Sequence, residues 1–284
     1  MKRPTFADSS TEARSPGSMG LSEMSPEAVI TLMTEEEGRV LDAVKAVTPP
    51  LAQAARKLAE VYVMGGRTVF LGSGTSGRLA VMEVAELPPT FGIPPDRFVT
   101  FVAAGPTAGP AAITLSEDDT DAAPAVLAQM AISCADAVIG VAASGTTPFV
   151  VAGLQAASHA GAWTCGIANN PATPVLAVAD LGILLDTGAE VLTGSTRLKA
   201  GTAQKLALNR ITTAALVRSG AVRSNLMVGA VGTNTKLRRR CVQTVKALTD
   251  ASEAEATTAL EATGWRPRDA IEVIGASRRI GRPA

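Results

Sequence analysis

The sequence predicts an α/β protein: a doubly wound, parallel, five-stranded sheet flanked by helices, with a helical N-terminal arm and a helical C-terminal cap. Three observations carry this. Short β-type runs bounded by glycine and serine occur at TVFLG (68–72), FVTFVAAG (98–105), AVIGVAAS (137–144), WTCGIAN (163–169) and LGILLDT (181–187). Helical stretches separate the first four, and strands that alternate with helices pair in parallel. The runs are continuously apolar, as strands covered on both faces are.

Residues 1–24 are polar, with proline and serine, and read as an extended or disordered arm. Ser25, Pro26 and Glu27 then form a helix start, because proline at the first helical position gives up an N–H that has no partner there anyway. Helix-period apolar residues run to Val47, where Pro49-Pro50 interrupt them. A second helix over 51–64 ends at Gly65-Gly66, since glycine adopts the left-handed conformation that closes helices. After the last strand a long helix is expected over 197–220, and three more helical stretches from 233 onward. The expected organisation is therefore an arm (1–24), an α/β domain with N-terminal helices (25–220) and a C-terminal helical region (221–284).

Composition narrows the function. Of 284 residues, 46% are hydrophobic and 3% aromatic, which suits small-residue packing and argues against aromatic platforms for single-stranded nucleic acid. Lys+Arg and Asp+Glu both number 26, so no net field draws the chain to nucleic acid or an anionic membrane. The basic run Lys236–Arg240 reads as a solvated helix face. Three dispersed cysteines and one histidine argue against a zinc site and for a reducing compartment. The N-terminus has no apolar stretch of signal-peptide type, and no apolar run reaches membrane-spanning length.

The loop after the first run, Gly72-Ser73-Gly74-Thr75-Ser76-Gly77, fits the letters of a dinucleotide fingerprint. That fold also needs an acidic residue closing the second strand to hold the ribose, and FVAAGPT has none. A different chemistry fits better. Ser73, Thr75 and Ser76 place three hydroxyls in this loop, and Ser144, Thr146 and Thr147 place three in the loop after the third run. Both loops lie where a strand ends and a helix begins, where N–H groups and the helix dipole favour an anion. Hydroxyl-rich loops without a P-loop lysine suit a phosphate monoester; the competing reading is that these residues merely cap helices.

These loops resemble the phosphate-binding loops of SIS (sugar isomerase) domains. Within that superfamily, TEARSPGSM (11–19), LGSGTSGRL (71–79), ELPPTFG (86–92), SEDD (116–119), EVLTGSTRLKAGTAQK (190–205) and NLMV (225–228) together resemble the N-acetylmuramic acid 6-phosphate etherases. The resemblance implies cleavage of a sugar lactyl ether to N-acetylglucosamine 6-phosphate and D-lactate. It also implies a cytoplasmic homodimer, a sugar-phosphate ligand and no metal or organic cofactor. Members usually carry Arg at the position of Thr146, Cys at that of Leu87 and Asn at that of Ser15.

The reaction needs a base for the proton on C2 and an acid for the leaving lactate. Glu86 is one candidate. Pro88 disfavours a helical Leu87, so the helix is expected to end at Glu86, and a carboxyl group at the negative end of a helix dipole suits a general acid. The resemblance matches Glu86 and Glu117 to the family's catalytic glutamates, with Glu117 as base. Both have a competing reading, a solvated helix face for Glu83 and Glu86 and a surface loop for Glu117. By the same resemblance Gly74 and Gly145 belong to the phosphate loops, and Glu190, Ser195 and Lys199 to sugar recognition or closure over the phosphate, with a helix-surface lysine as the competing reading for Lys199. The alternatives are a non-catalytic sugar-phosphate-binding regulator, an SIS sugar-phosphate isomerase and an SIS-type DNA-binding regulator. Residues 1–60 carry the acidic TEEEGRVLDAV rather than a basic DNA-binding helix pair.

Overall fold

The computed structural model describes residues 9–105 and 116–280. Five parallel strands, β1 (Thr68–Gly72), β2 (Phe98–Val102), β3 (Ala137–Ala142), β4 (Trp163–Ala168) and β5 (Leu181–Leu184), form one sheet in the order β2-β1-β3-β4-β5. The expected fold class is the one observed. Strand order reverses between β1 and β3, and open α/β sheets bind ligands outside the carboxyl ends of strands at such a switch point. Gly72 of β1 stands opposite Val141 of β3, so the two hydroxyl-rich loops leave the sheet side by side.

Both faces of the sheet are covered. Val69, Leu71 and Val138 pack with Leu127 of α5 (Ala122–Gln129) and with Phe149 and Leu154 of α6 (Pro148–His159). Strand alternation turns Phe70, Ile139 and Ile167 to the other face, where all are fully buried. Each such side chain contributes about 1.5–3 kcal/mol of burial. Gly140 matters here: a Cβ would lie 2.8 Å from Leu154 Cδ1, so its absence lets α6 close on the sheet.

The chain divides into two compact units. The first comprises residues up to Val84 and Asp96–Ala214 and holds the sheet. It opens with three single-turn 3-10 helices at Ser10–Glu12, Pro16–Ser18 and Leu21–Glu23; residues 1–8 of the expected arm lie outside the described residues. Helix α1 (Pro26–Glu36) is capped by Ser25, whose hydroxyl accepts the Ala28 N–H. Helix α2 (Gly38–Ala46) precedes α3 (Thr48–Val63), whose first turn contains Pro49 and Pro50. Helix α7 (Pro174–Val178) joins β4 to β5, and α8 (Lys199–Leu216) runs into a π turn at Val217–Ala221.

The second unit, Ala85–Pro95 with the residues from Ala215 on, carries the short hairpin β6 (Val222–Arg223) and β7 (Leu226–Met227) and three helices. These are α9 (Thr235–Leu248), α10 (Glu253–Ala262) and α11 (Pro267–Ile280), around Cys241, Val245, Leu260 and Ala270. Asn234 caps α9, and Ser252 with Glu255 forms a capping box on α10. Lys236 and Arg238–Arg240 are exposed on α9, with Arg238 stacked over the Trp265 ring at 4.8 Å.

Helix α4 (Gly74–Phe91) corrects one expectation: it does not end at Glu86 but continues through Pro88 and Pro89. Leu87 and Phe91, four residues apart, are both buried and hold the last turn in helical form. The Gly92 N–H donates to the Pro88 carbonyl at 2.8 Å, and Gly92 has φ 67°, where a side chain would collide with the Gly229 carbonyl.

Candidate active site

The first loop is reduced to a single residue. β1 ends at Gly72, α4 begins at Gly74, and Ser73 makes the turn. The strand and helix touch here, since a Cβ on Gly72 would lie 2.7 Å from the Gly77 nitrogen. Ser73 and Ser76 are buried and Thr75 half-buried. The Ser73 hydroxyl is buried without a hydrogen-bond partner among the described residues. An unmade bond of this kind costs about 1–3 kcal/mol, and it sits at the start of a long helix, where an anion is favoured.

The second loop is held from several sides. Ser144 Oγ accepts from the Thr146 N–H and hydroxyl, each at 3.2 Å. Gly145 has φ 74°, and a Cβ there would overlap Thr173. Thr147 donates its hydroxyl to Glu117 Oε1 at 3.0 Å. The structure therefore brings Glu117 against the second loop, half-buried, with one oxygen engaged. Glu86 stands exposed on α4 and falls in the second unit. It lies five residues before the end of its helix, beyond the last turn in which the dipole acts, so the dipole argument for Glu86 as the acid does not apply.

The matched segment 190–205 is part of the framework. Glu190 is completely buried, and its carboxylate accepts the N–H groups of Lys199 at 3.1 Å and Ala200 at 2.9 Å, anchoring the start of α8. Burial raises the pKa of Glu190 above the ordinary value against the opposing effect of those two N–H groups. Lys199 is buried and ion-paired with Glu36, whose pKa it lowers by hydrogen bonding. Ser195 is half-buried in the preceding turn, its N–H donating to the Leu192 carbonyl.

Sequence reasoning missed Glu83. It is almost fully buried and accepts from Lys205 Nζ, Asn209 Nδ2 and Thr212 Oγ1, each at 2.6 Å. The signal was present: Lys205, Asn209 and Thr212 recur at helical spacing on one face of α8.

Residues 50–158 match the model of the glucokinase regulatory protein N-terminal SIS domain. Over 264 residues the chain is 42% identical to N-acetylmuramic acid 6-phosphate etherase 2 of Vibrio parahaemolyticus, covering 93% of this chain and 88% of that protein. The chain belongs to the N-acetylmuramic acid 6-phosphate etherase family. The etherases of Pasteurella multocida and Serratia proteamaculans are 40% and 41% identical to this family member, over 88% and 89% of their lengths. Among solved structures, a phosphoheptose isomerase from Francisella tularensis superposes with a TM-score of 0.51 at 16% identity, over 68% of this chain and 98% of that one. A phosphoheptose isomerase from Neisseria gonorrhoeae gives 0.50 at 17% identity, over 68% and 98%. These two likenesses establish that the etherase family member has the fold of SIS sugar isomerases.

Proposed function

We propose that the chain is a carbon–oxygen lyase that cleaves the D-lactyl ether of N-acetylmuramate 6-phosphate, giving N-acetylglucosamine 6-phosphate and D-lactate in amino-sugar catabolism and cell-wall recycling. The observation that carries this is the 42% identity across 93% of the chain to a relative named for that etherase. The switch-point loops support it. Ser73, Gly74, Thr75 and Ser76 of the first loop and Ser144, Gly145, Thr146 and Thr147 of the second would take the 6-phosphate. Glu190 and Lys199 would fix the start of α8, with Ser195 in the turn before it toward the sugar.

In the open-chain sugar the C1 aldehyde makes the C2 proton acidic. Glu117, oriented by Thr147, removes that proton. The C3–O bond then breaks, and lactate leaves with a proton from Glu86. Water adds across the resulting double bond, its oxygen to C3 and a proton back to C2, so atoms and charge balance. Each proton transfer is worth about 10²–10⁴-fold. Glu86 takes the acid role by its match to the family's motif.

The protein works as a cytoplasmic homodimer in this reading. No helix among the described residues is long and apolar enough to cross a membrane. Helix α1 has no buried residue, and Ile30 on it is 65% exposed, a face suited to a second subunit. The match of residues 50–158 to a regulatory SIS domain favours, as a second reading, sugar-phosphate binding without turnover. Incubation with N-acetylmuramate 6-phosphate and an enzymatic assay for D-lactate separates the two: release supports the lyase, binding without release the regulator.

A further inference from the structure

Arg14, Ser15, Ser18, Ser22, Leu192 and Thr193 lie among the walls of a cavity of about 510 Å³, within the range of small-molecule sites. The arm that forms one wall is tied to the start of the second loop through Asn170. The Asn170 amide donates to Thr11 Oγ1 at 2.9 Å and to the Ala143 carbonyl at 3.1 Å, and Asn170 Oδ1 accepts from the Ser10 hydroxyl. The Gly194 N–H donates to the Thr11 carbonyl at 3.2 Å, tying the arm to the segment before α8 as well. Arg14 follows Thr11 by three residues, at most about 11 Å of chain.

The charges in this part of the first unit are uneven. Ser144, Gly145, Thr146 and Thr147 supply hydroxyls and N–H groups but no cation. Lys199 and Lys205 are already paired with Glu36 and Glu83. Arg14 has no hydrogen bond or ion pair among the described residues, is exposed, and lines the cavity together with Ser15 and Ser18. A guanidinium fork beside hydroxyls matches a carboxylate, which it grips through two parallel N–H bonds. Building on the substrate proposed above, we infer that the arm cavity is the subsite for the lactyl carboxylate and that Arg14 is its specificity-determining residue. The hydroxyl loops would hold one anion of the substrate and Arg14 the other.

The test compares two sugar phosphates that differ in the lactyl group. Affinities for N-acetylmuramate 6-phosphate and N-acetylglucosamine 6-phosphate are measured by calorimetry on the full chain, in a Glu117→Gln background that suppresses turnover. Adding Arg14→Gln is expected to weaken the lactyl sugar about 10- to 100-fold, the scale of hydrogen bonds to a charged group. The sugar without it should shift by no more than about twofold. Arg14→Lys, which keeps the charge but not the fork, should fall between. Equal losses for both sugars would make Arg14 a scaffold residue, and no loss for either would leave the carboxylate without its partner; each overturns the assignment. The D-lactate assay on the unsubstituted chain is a separate arm. If no lactate appears but Arg14→Gln still discriminates the two sugars, the lyase reading falls and the subsite stands. If neither sugar phosphate binds, both fall.

Discussion

Ser73 and Glu83 lie ten residues apart and illustrate opposite uses of a buried polar group. Ser73 carries a hydroxyl with no partner among the described residues, so in the free protein Ser73→Ala should leave the melting temperature unchanged or raise it, while weakening sugar-phosphate binding by about 1.5–3 kcal/mol for a lost bond to a charged group. Thermal melts with and without the sugar phosphate read both effects; a destabilised variant with intact affinity would contradict the phosphate-loop reading. Glu83 is the reverse case, with three donors on one carboxylate. Glu83→Gln should cost about 3 kcal/mol of stability, the lower end for a broken buried pair because Lys205 is partly exposed. Denaturant unfolding measures this. The two glutamates of α4 looked alike in the sequence, both open to reading as a solvated face. Only the packing of α8 separates them, burying Glu83 and leaving Glu86 exposed. Glu117→Gln and Glu86→Gln should each lower kcat at least ~10²-fold with far smaller changes in KM, measured by initial rates of lactate release.

Helix ends decide the next scale. Glu190 and Glu36 belong to one network at the start of α8 yet respond to pH in opposite senses. Burial raises the pKa of Glu190, so its contribution is fully present below the ordinary value of 4.5 and is lost as pH rises through the shifted one. Lys199 lowers the pKa of Glu36, so that contribution is present above 4.5 and is lost as pH falls. Glu190→Gln, neutral at every pH, should therefore be relatively less damaging near pH 7 than near pH 4, and Glu36→Gln relatively more damaging. Melting temperatures across that range check both slopes; parallel slopes for the two variants would contradict the network. The role of Glu190 was illegible in the sequence because its partners are backbone N–H groups nine and ten residues on, which leave no side-chain pattern. The end of α4 was misjudged for a related reason. The Pro88 rule is local, whereas Leu87 and Phe91 hold the turn by burial that the local rule does not see. The strands were legible because doubly covered strands are written as apolar runs, and the start of α1 because Ser25-Pro26 is a capping signal read without tertiary context.

At the scale of the whole molecule, the sheet order explains why two loops distant in sequence leave the sheet side by side: β1 and β3 are neighbours at the point where the winding reverses. That both loops carry three hydroxyls between a strand and a helix was visible in the sequence; their adjacency comes from the strand order. The exposed face of α1 is where the proposed homodimer is tested. Sedimentation should find a dimer at assay concentrations, and Ile30→Glu should shift it toward monomer; an active monomer would contradict the proposed assembly. The central claim is the chemistry, elimination at C3 followed by addition of water. Its most direct test is turnover of N-acetylmuramate 6-phosphate in ¹⁸O-water with mass analysis of both products. Elimination followed by addition yields D-lactate that keeps the original ether oxygen and N-acetylglucosamine 6-phosphate that carries the label at C3; labelled lactate, or no lactate at all, would contradict this chemistry.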